Sequence, residues 1–283
     1  MLKDKRITIL GLGVLGGSYA KGLHKAGIDV CAIDIDGGAL HTALDNGWIV
    51  EGSSDPSFVK DSDIVISCLY PHTFVQWIKD HGKYLKPGCI LTDVTGVKRA
   101  VMEKVNALLP EGVEYIACHP MAGRESRGLS YADENCFTNA NFIIVPEHNS
   151  EKAKDMAYEI AHILGFGNIV ELTAEEHDRM VGFLSQLTHV IAVSLMNVAD
   201  NTDLADYTGD SFRDLTRIAN INELLWPELF VLNKDYLMKE IDAFTEEMQA
   251  FKKLIADEDY ASMQEKLRLS TERRAYFNKK KVN

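Results

Sequence analysis

The stretch "RITILGLGVLGGSYAKGLHKAGIDVCAID", residues 6–34, leaves few folds open. A β-branched apolar run enters a turn carrying Gly11, Gly13 and Gly16, and a helix follows that should stop at Gly27, where a flexible C-terminal residue is expected. "DVCAID" then supplies a second strand, so the chain opens on a βαβ unit. The three glycines serve a tight turn, close approach of a pyrophosphate to the backbone, and tight packing of helix on strand. The first residues of the helix, from Gly13 through Val14 and Leu15 to Gly16, offer unpaired N–H groups to phosphates. Asp34 ends the second strand about twenty residues downstream, where a carboxylate binds ribose hydroxyls and repels a 2′-phosphate, which points to NAD over NADP. Asp36 is the other candidate for that contact. A glycine turn in an unrelated α/β fold is the competing reading.

The alternation continues. Asp55-Pro56 opens a short helix, "DIVISCL" is a buried strand, Thr73 is placed to cap "FVQWIKDHGKYL", and "KPG" turns the chain into "CILTDV". "VKRAVMEKVNALL" is helical, and "VEYIACH" is the next strand. "NFIIVP", a helix over 151–164 capped by Ser150, and "NIVEL" follow. Strands alternating with helices predict a doubly wound parallel sheet. At Thr173 and Glu176 a capping box opens a helix running to about residue 200, and no convincing strand signal follows. The expected division is therefore a dinucleotide-binding domain over 1–172 and a helical domain over 173–283, with Pro227 marking a helix start or kink.

Composition narrows the function. A net charge of −12 argues against a nucleic-acid binder, because the only basic run is the "KKK" of 279–281, read as a solvated tail. An anionic substrate would need cations gathered locally. The five cysteines lack metal-ligand spacing and read as reduced thiols of a cytoplasmic protein, and the N-terminus shows no secretory signal. "MVGFLSQLTHVIAVSLMNVA", 180–199, is apolar enough to suggest a membrane span, but Ser185, Gln186, His189 and Asn197 favour a core or subunit-interface helix buried on most faces.

Three features carry chemistry. His119 ends the strand "VEYIA" at the carboxyl edge of the sheet, where open α/β folds bind ligands, and is placed to act as a base or to sit as a hydrogen-bonded turn histidine. Asp178, Gly182, Ser185 and His189 form one polar stripe on an apolar helix at about 100° per residue. Such a stripe borders either a wet substrate pocket or a helix–helix hydrogen-bond network. Arg213 and Arg217 share a face at i, i+4, as salt-bridge partners of Asp214 or as a carboxylate clamp.

In this order, "GLGVLGGSYA", "DVTGVK", "HPMAGRESRG", "SQLTHVIAVSL" and "FRDLTRIA…W" resemble the prephenate/arogenate dehydrogenase family of tyrosine biosynthesis over about 5–280. The resemblance implies a Rossmann-type doubly wound domain, an all-α C-terminal domain that forms a homodimer, and NAD-dependent oxidative decarboxylation of a cyclohexadienyl dianion, prephenate before arogenate, with no nucleic-acid or membrane partner. It makes His119 the catalytic base, Arg217 the substrate-carboxylate ligand, and His189, Ser185 and Glu125 further substrate groups, with Asp178 and Trp226 near the entrance. Arg213, Arg124 and Lys98 are candidate helpers of Arg217. Two departures stand out. Thr95-Gly96-Val97-Lys98 replaces the common Gly-Ser-x-Lys, which moves a serine contact to Thr95 or removes it. Ser185-Gln186-Leu187-Thr188-His189 replaces Ser-His-x-Pro-His. The other readings are a β-hydroxyacid dehydrogenase or imine reductase, which would use a lysine that 180–200 lacks, and a non-catalytic NAD(H)-binding regulator.

Overall fold

The computed structural model describes residues 2–123, 126–199 and 202–277, so Glu125 and Arg124 lie outside the described residues. The chain forms two compact units divided between Lys234 and Asp235. The first contains an eight-stranded sheet in the order β3-β2-β1-β4-β5-β6-β7-β8. The strands are β1 (Ile7–Leu10), β2 (Val30–Ile33), β3 (Glu51–Ser53), β4 (Ile64–Ser67), β5 (Ile90–Asp93), β6 (Glu114–Pro120), β7 (Asn141–Val145) and β8 (Asn168–Glu171). Strands β1, β2, β4 and β5 are buried along their whole length, as parallel strands covered on both faces must be.

Around the sheet stand α1 (Val14–Lys25), α2 (Gly37–Asp45), α3 (Pro71–His81), α4 (Arg99–Asn106) and α5 (Glu151–Ile163). Two apolar cores fill its faces: one joins Tyr19 and Leu23 of α1 to Phe142 and Ile160, the other joins Phe74, Val101 and Leu229.

Three local differences from expectation have physical causes. The sheet is mixed, not all parallel: among the described residues between β6 and β7 there are two 3₁₀ turns and no α-helical crossover, and β7 returns antiparallel to β6. Helix α3 starts at Pro71, not at a Thr73 cap, since proline is preorganised for the first helical position. Helix α2 and strand β3 fill the stretch between β2 and Asp55, to which the sequence reading assigns no element, and the Asp36 side chain caps α2 by accepting from the Gly38 and Ala39 N–H groups. The Thr173/Glu176 capping box and the Ser150 cap are present as expected.

Helical structure follows within the same unit: α6 (Ala174–Val181), a π-helical turn (Gly182–Leu187), α7 (Thr188–Val198), α8 (Asp210–Thr216) and α9 (Leu225–Leu232). Helix α9 packs on the sheet through Leu229, and Glu228 accepts from the His72 N–H at the start of α3. From 174 to 198 the chain is one helix, long and apolar enough by composition to cross a membrane, yet only 28% of its most apolar window is buried within the chain. Phe183, Leu184, Met196 and Val198 are exposed, so the expected burial on most faces is not met by this chain alone. The second unit is a helical pair, α10 (Lys234–Ala256) and α11 (Tyr260–Ala275), tied by a 2.6 Å Lys266–Glu247 ion pair. None of the five thiols is in a disulfide, and Cys31, Cys89 and Cys118 are buried.

Candidate active site

The glycine turn is as tight as the spacing demands. Gly11 sits at φ +89°, and a Cβ on Gly16 would lie 1.8 Å from the Gly11 carbonyl oxygen, so no other residue fits there. Around Gly13, by contrast, a Cβ would meet nothing within 4 Å. This residue caps α1 without any side-chain hydrogen bond and lines two cavities at once. One cavity, of 530 Å³, is bordered by Asp34, Asp36, Ala39 and Trp48; the other, of 470 Å³, is bordered by His119. An open backbone position at the head of a helix therefore joins the two.

Asp34 and Asp36 divide the work that sequence left between them. The Asp34 carboxylate accepts from Leu12 N–H at 2.5 Å and from Asp36 N–H at 2.8 Å, which ties the end of β2 to the glycine turn. Asp36 is committed to capping α2.

His119, near the end of β6, reaches the 470 Å³ cavity with one ring edge. Its Nδ1 lies 2.8 Å from Nε2 of His177, and His177 Nδ1 lies 2.8 Å from Asp178 Oδ1. Since a carboxylate only accepts, His177 Nδ1–H donates to Asp178, His177 Nε2 accepts from His119 Nδ1–H, and His119 Nε2 carries the lone pair. Burial, then the neighbouring His177 and Lys98, hold the His119 imidazole well below its ordinary pKa. Burial also lowers His177, against the opposing pull of Asp178.

Beneath the histidine lies a fully buried ion pair, Lys98 Nζ to Asp93 Oδ2 at 2.8 Å. Lys98 also donates to the Cys118 carbonyl at 2.6 Å, while Asp93 accepts from Tyr115 Oη–H, Cys118 N–H and both the N–H and hydroxyl of Thr95. The network pins the ends of β5 and β6 together; removing one partner would leave a buried charge, at a cost of about 3–5 kcal/mol.

Helix 174–198 contributes Ser185 and His189 to the cavity. The His189 Nδ1–H donates to the Ser185 carbonyl at 2.8 Å, and its ring packs tilted by 31° against Trp226 with centroids 3.7 Å apart. Arg217, Asn222 and Trp226 line the same space, with Asn222 Nδ2–H donating to Tyr70 Oη at 2.7 Å.

The structure thus gathers His119, Ser185, His189, Arg217 and the glycine turn, and corrects several expectations. Arg213 lines a different cavity and is paired with Asp210 at 2.9 Å, not with Asp214. Lys98 is sealed under the site and does not assist Arg217. Thr95 borders the cavity, but its hydroxyl is turned to Asp93 and the Val97 carbonyl. Asp178 is fully buried, away from any entrance, where it accepts from the Lys98 and Arg99 N–H groups. Gln186 donates to the Leu229 carbonyl and accepts from Asn233. Of the polar stripe, Asp178 belongs to a buried network while Ser185 and His189 border the cavity. The π-helical turn explains the split, since a wider turn shifts the residues after it off a regular 100° progression. Sequence alone does not single out His177; the adjacent pair His177-Asp178 in the first turns after a cap is the available signal.

The family models match the two halves of the chain in turn. The model described as the nucleotide-binding domain of prephenate dehydrogenase matches residues 19–166, and the dimerization domain of the same family matches 173–269. The chain is 27% identical over 270 residues to a prephenate dehydrogenase of Bacillus subtilis, covering 91% of this chain and 72% of that one. A cyclohexadienyl dehydrogenase of Zymomonas mobilis is also 27% identical, over 90% of each chain. The crystal structure of prephenate dehydrogenase from A. aeolicus with hydroxyphenyl propionate and NAD+ superposes with a TM-score of 0.88 at 27% identity, covering 97% of this chain and 98% of that one. With the histidine at the sheet edge and the helical half both inside the matched segments, the chain belongs to the prephenate dehydrogenase family.

Proposed function

We infer that the protein catalyses the NAD-dependent oxidative decarboxylation of prephenate to 4-hydroxyphenylpyruvate, a step of tyrosine biosynthesis. The observation that carries this reading is a single cavity bordered by Gly13, His119, Ser185, His189 and Arg217. The A. aeolicus relative is in complex with hydroxyphenyl propionate and NAD+, a phenol bearing a carboxylate and a dinucleotide, and these are the groups such a cavity suits.

The residues fit the dinucleotide. The open backbone at Gly13 and the uncapped start of α1, with Val14, Leu15 and Gly16, receive the pyrophosphate, and Asp34 takes the ribose hydroxyls. NAD+ supplies a hydride acceptor there. Arg217 holds a substrate carboxylate, while His189 and Ser185 line the substrate's other side.

His119 acts on the C4 hydroxyl. Its Nε2 lone pair accepts the O–H hydrogen bond as C4 loses hydride, the C1–carboxylate bond breaks, and that electron pair enters the ring while carbon dioxide leaves. Any proton held at Nε2 returns to the phenol oxygen on aromatisation, so prephenate and NAD+ give 4-hydroxyphenylpyruvate, carbon dioxide and NADH with no net proton. General base help of this kind contributes about 10²–10⁴-fold. The base must be neutral, and burial of His119 favours that state.

The boundary near 172 separates a cofactor-binding part from a helical part that forms a homodimer, a reading supported by the exposed apolar residues Phe183, Leu184, Met196 and Val198. NADH formation with prephenate and, separately, with arogenate tests the substrate: turnover of prephenate supports the reading, arogenate alone moves it to the amino-acid substrate, and neither overturns it.

A further inference from the structure

We propose that His177 is a positioning residue for His119: linked to Asp178 behind it, it fixes the His119 tautomer so that Nε2 faces the cavity as a lone pair and steadies the imidazolium that forms during turnover. The inference rests on the reaction assigned above to His119. It starts from geometry, two hydrogen bonds of 2.8 Å in line from Asp178 through His177 to His119, with His177 and Asp178 both fully buried. Water cannot substitute for either partner at such a depth, so the polarity of each bond is set by the carboxylate at the far end.

The carboxylate is itself fixed. Asp178 accepts from Lys98 N–H at 2.8 Å and Arg99 N–H at 3.0 Å, at the start of α4, with Arg99 Nε 3.5 Å away. His177 therefore has one neutral tautomer that satisfies it, with the proton on Nδ1. In turn, His119 must keep its own proton on Nδ1.

The described residues on the cavity side do not orient that ring. Gly96 brings no side chain, its missing Cβ would lie 3.8 Å from His119 Nε2, and the Thr95 hydroxyl is turned away. Orientation comes from behind the ring. The charged groups behind His119 are Lys98 with its partner Asp93, from β5 and the segment that follows it, and Asp178 behind His177, from α6, while Arg127 and Arg217 border the cavity on its open side. Lys98 opposes a positive charge on His119, and so would a protonated His177; burial keeps His177 neutral, and in that state it accepts from His119 Nδ1–H and does not oppose the charge.

The test compares His177→Phe, which keeps a ring and removes the acceptor, with His177→Gln, which can return an acceptor near the position of Nε2. For His177→Phe we expect kcat to fall about 10–100-fold with KM within about threefold, and the acid limb of the kcat–pH profile to move to lower pH. His177→Gln should recover most of both. A folded His177→Phe with unchanged kcat and acid limb, a loss confined to KM, or a Gln variant no better than Phe would overturn the proposal. Nitrogen NMR of the imidazoles in the wild-type protein reads the tautomer without turnover and serves even if His177→Phe fails to fold. A bare Nε2 on His119 supports the relay, and an Nε2–H tautomer overturns it. Absence of turnover in the wild type would instead count against the reaction, leaving the tautomer result standing by itself.

Discussion

Two histidines border the same cavity and are held in different ways. His119 is backed by a second imidazole and a buried carboxylate, so its hydrogen-bond partner can respond when charge appears on the ring. His189 donates to the backbone carbonyl of Ser185 and lies against Trp226, a main-chain oxygen and an aromatic face that fix its position. A histidine meant to change its protonation during a reaction needs a polarisable support, whereas one meant to shape a pocket needs only a rigid one.

His119→Asn puts the most at stake in this contrast: kcat should fall by about 10²–10⁴-fold while NAD+ binding, measured by calorimetry, stays intact. Next in size is Arg217→Ala, where loss of a charged contact to a carboxylate should raise the KM for prephenate about 10–100-fold with a smaller change in kcat. A fall mainly in kcat would move Arg217 from binding to chemistry. His189→Asn should cost about 3–10-fold, seen in KM, as befits a single hydrogen bond to the substrate. An effect as large as that of His119→Asn would erase the distinction between the two rings.

Stability should track the buried pair. His119 and His177 are held below the ordinary imidazole value of 6.5, so the unfolded chain takes up protons that the folded chain refuses. Their contribution is therefore complete above about pH 6.5 and is lost as pH falls from there toward their folded values. Calorimetric Tm should drop over that range, and His177→Phe should flatten the drop. Gly96→Ser should do least: the new Cβ would meet Leu229 at 3.4–3.5 Å and His119 Nε2 at 3.8 Å, ordinary contacts. Its Tm should shift by no more than about 2 °C.

What the chain announces in its sequence is what local chemistry decides. Gly11 and Gly16 declare the turn because no side chain fits there, and the Thr173/Glu176 box closes within one helical turn. His119 could be placed at the sheet edge because a strand must end somewhere. What stayed hidden depends on partners far along the chain or on broken periodicity. Lys98 looks like a free cation until the buried Asp93 is seen beside it, and Arg213 looks like a twin of Arg217 until Asp210 takes it up. The stripe from Asp178 to His189 assumes a uniform helix, and the π-helical turn at Gly182–Leu187 undoes that assumption. Asp36 reads in the sequence only as a ribose contact, and the helix it caps, α2, goes unassigned there.

The reversal of β7 constrains anyone wishing to alter what the protein accepts. Leu129 and Ala132, between β6 and β7, pack on α1, where a Cβ on Gly17 would sit 2.4 Å from Leu129 and 2.7 Å from Ala132. Residues from Leu129 onward are thus moulded against the cofactor helix, and randomising them would wreck nucleotide affinity along with substrate choice. A directed-evolution library belongs on the short run of positions between Pro120 and Leu129, together with the wall formed by Asn222 and Trp226.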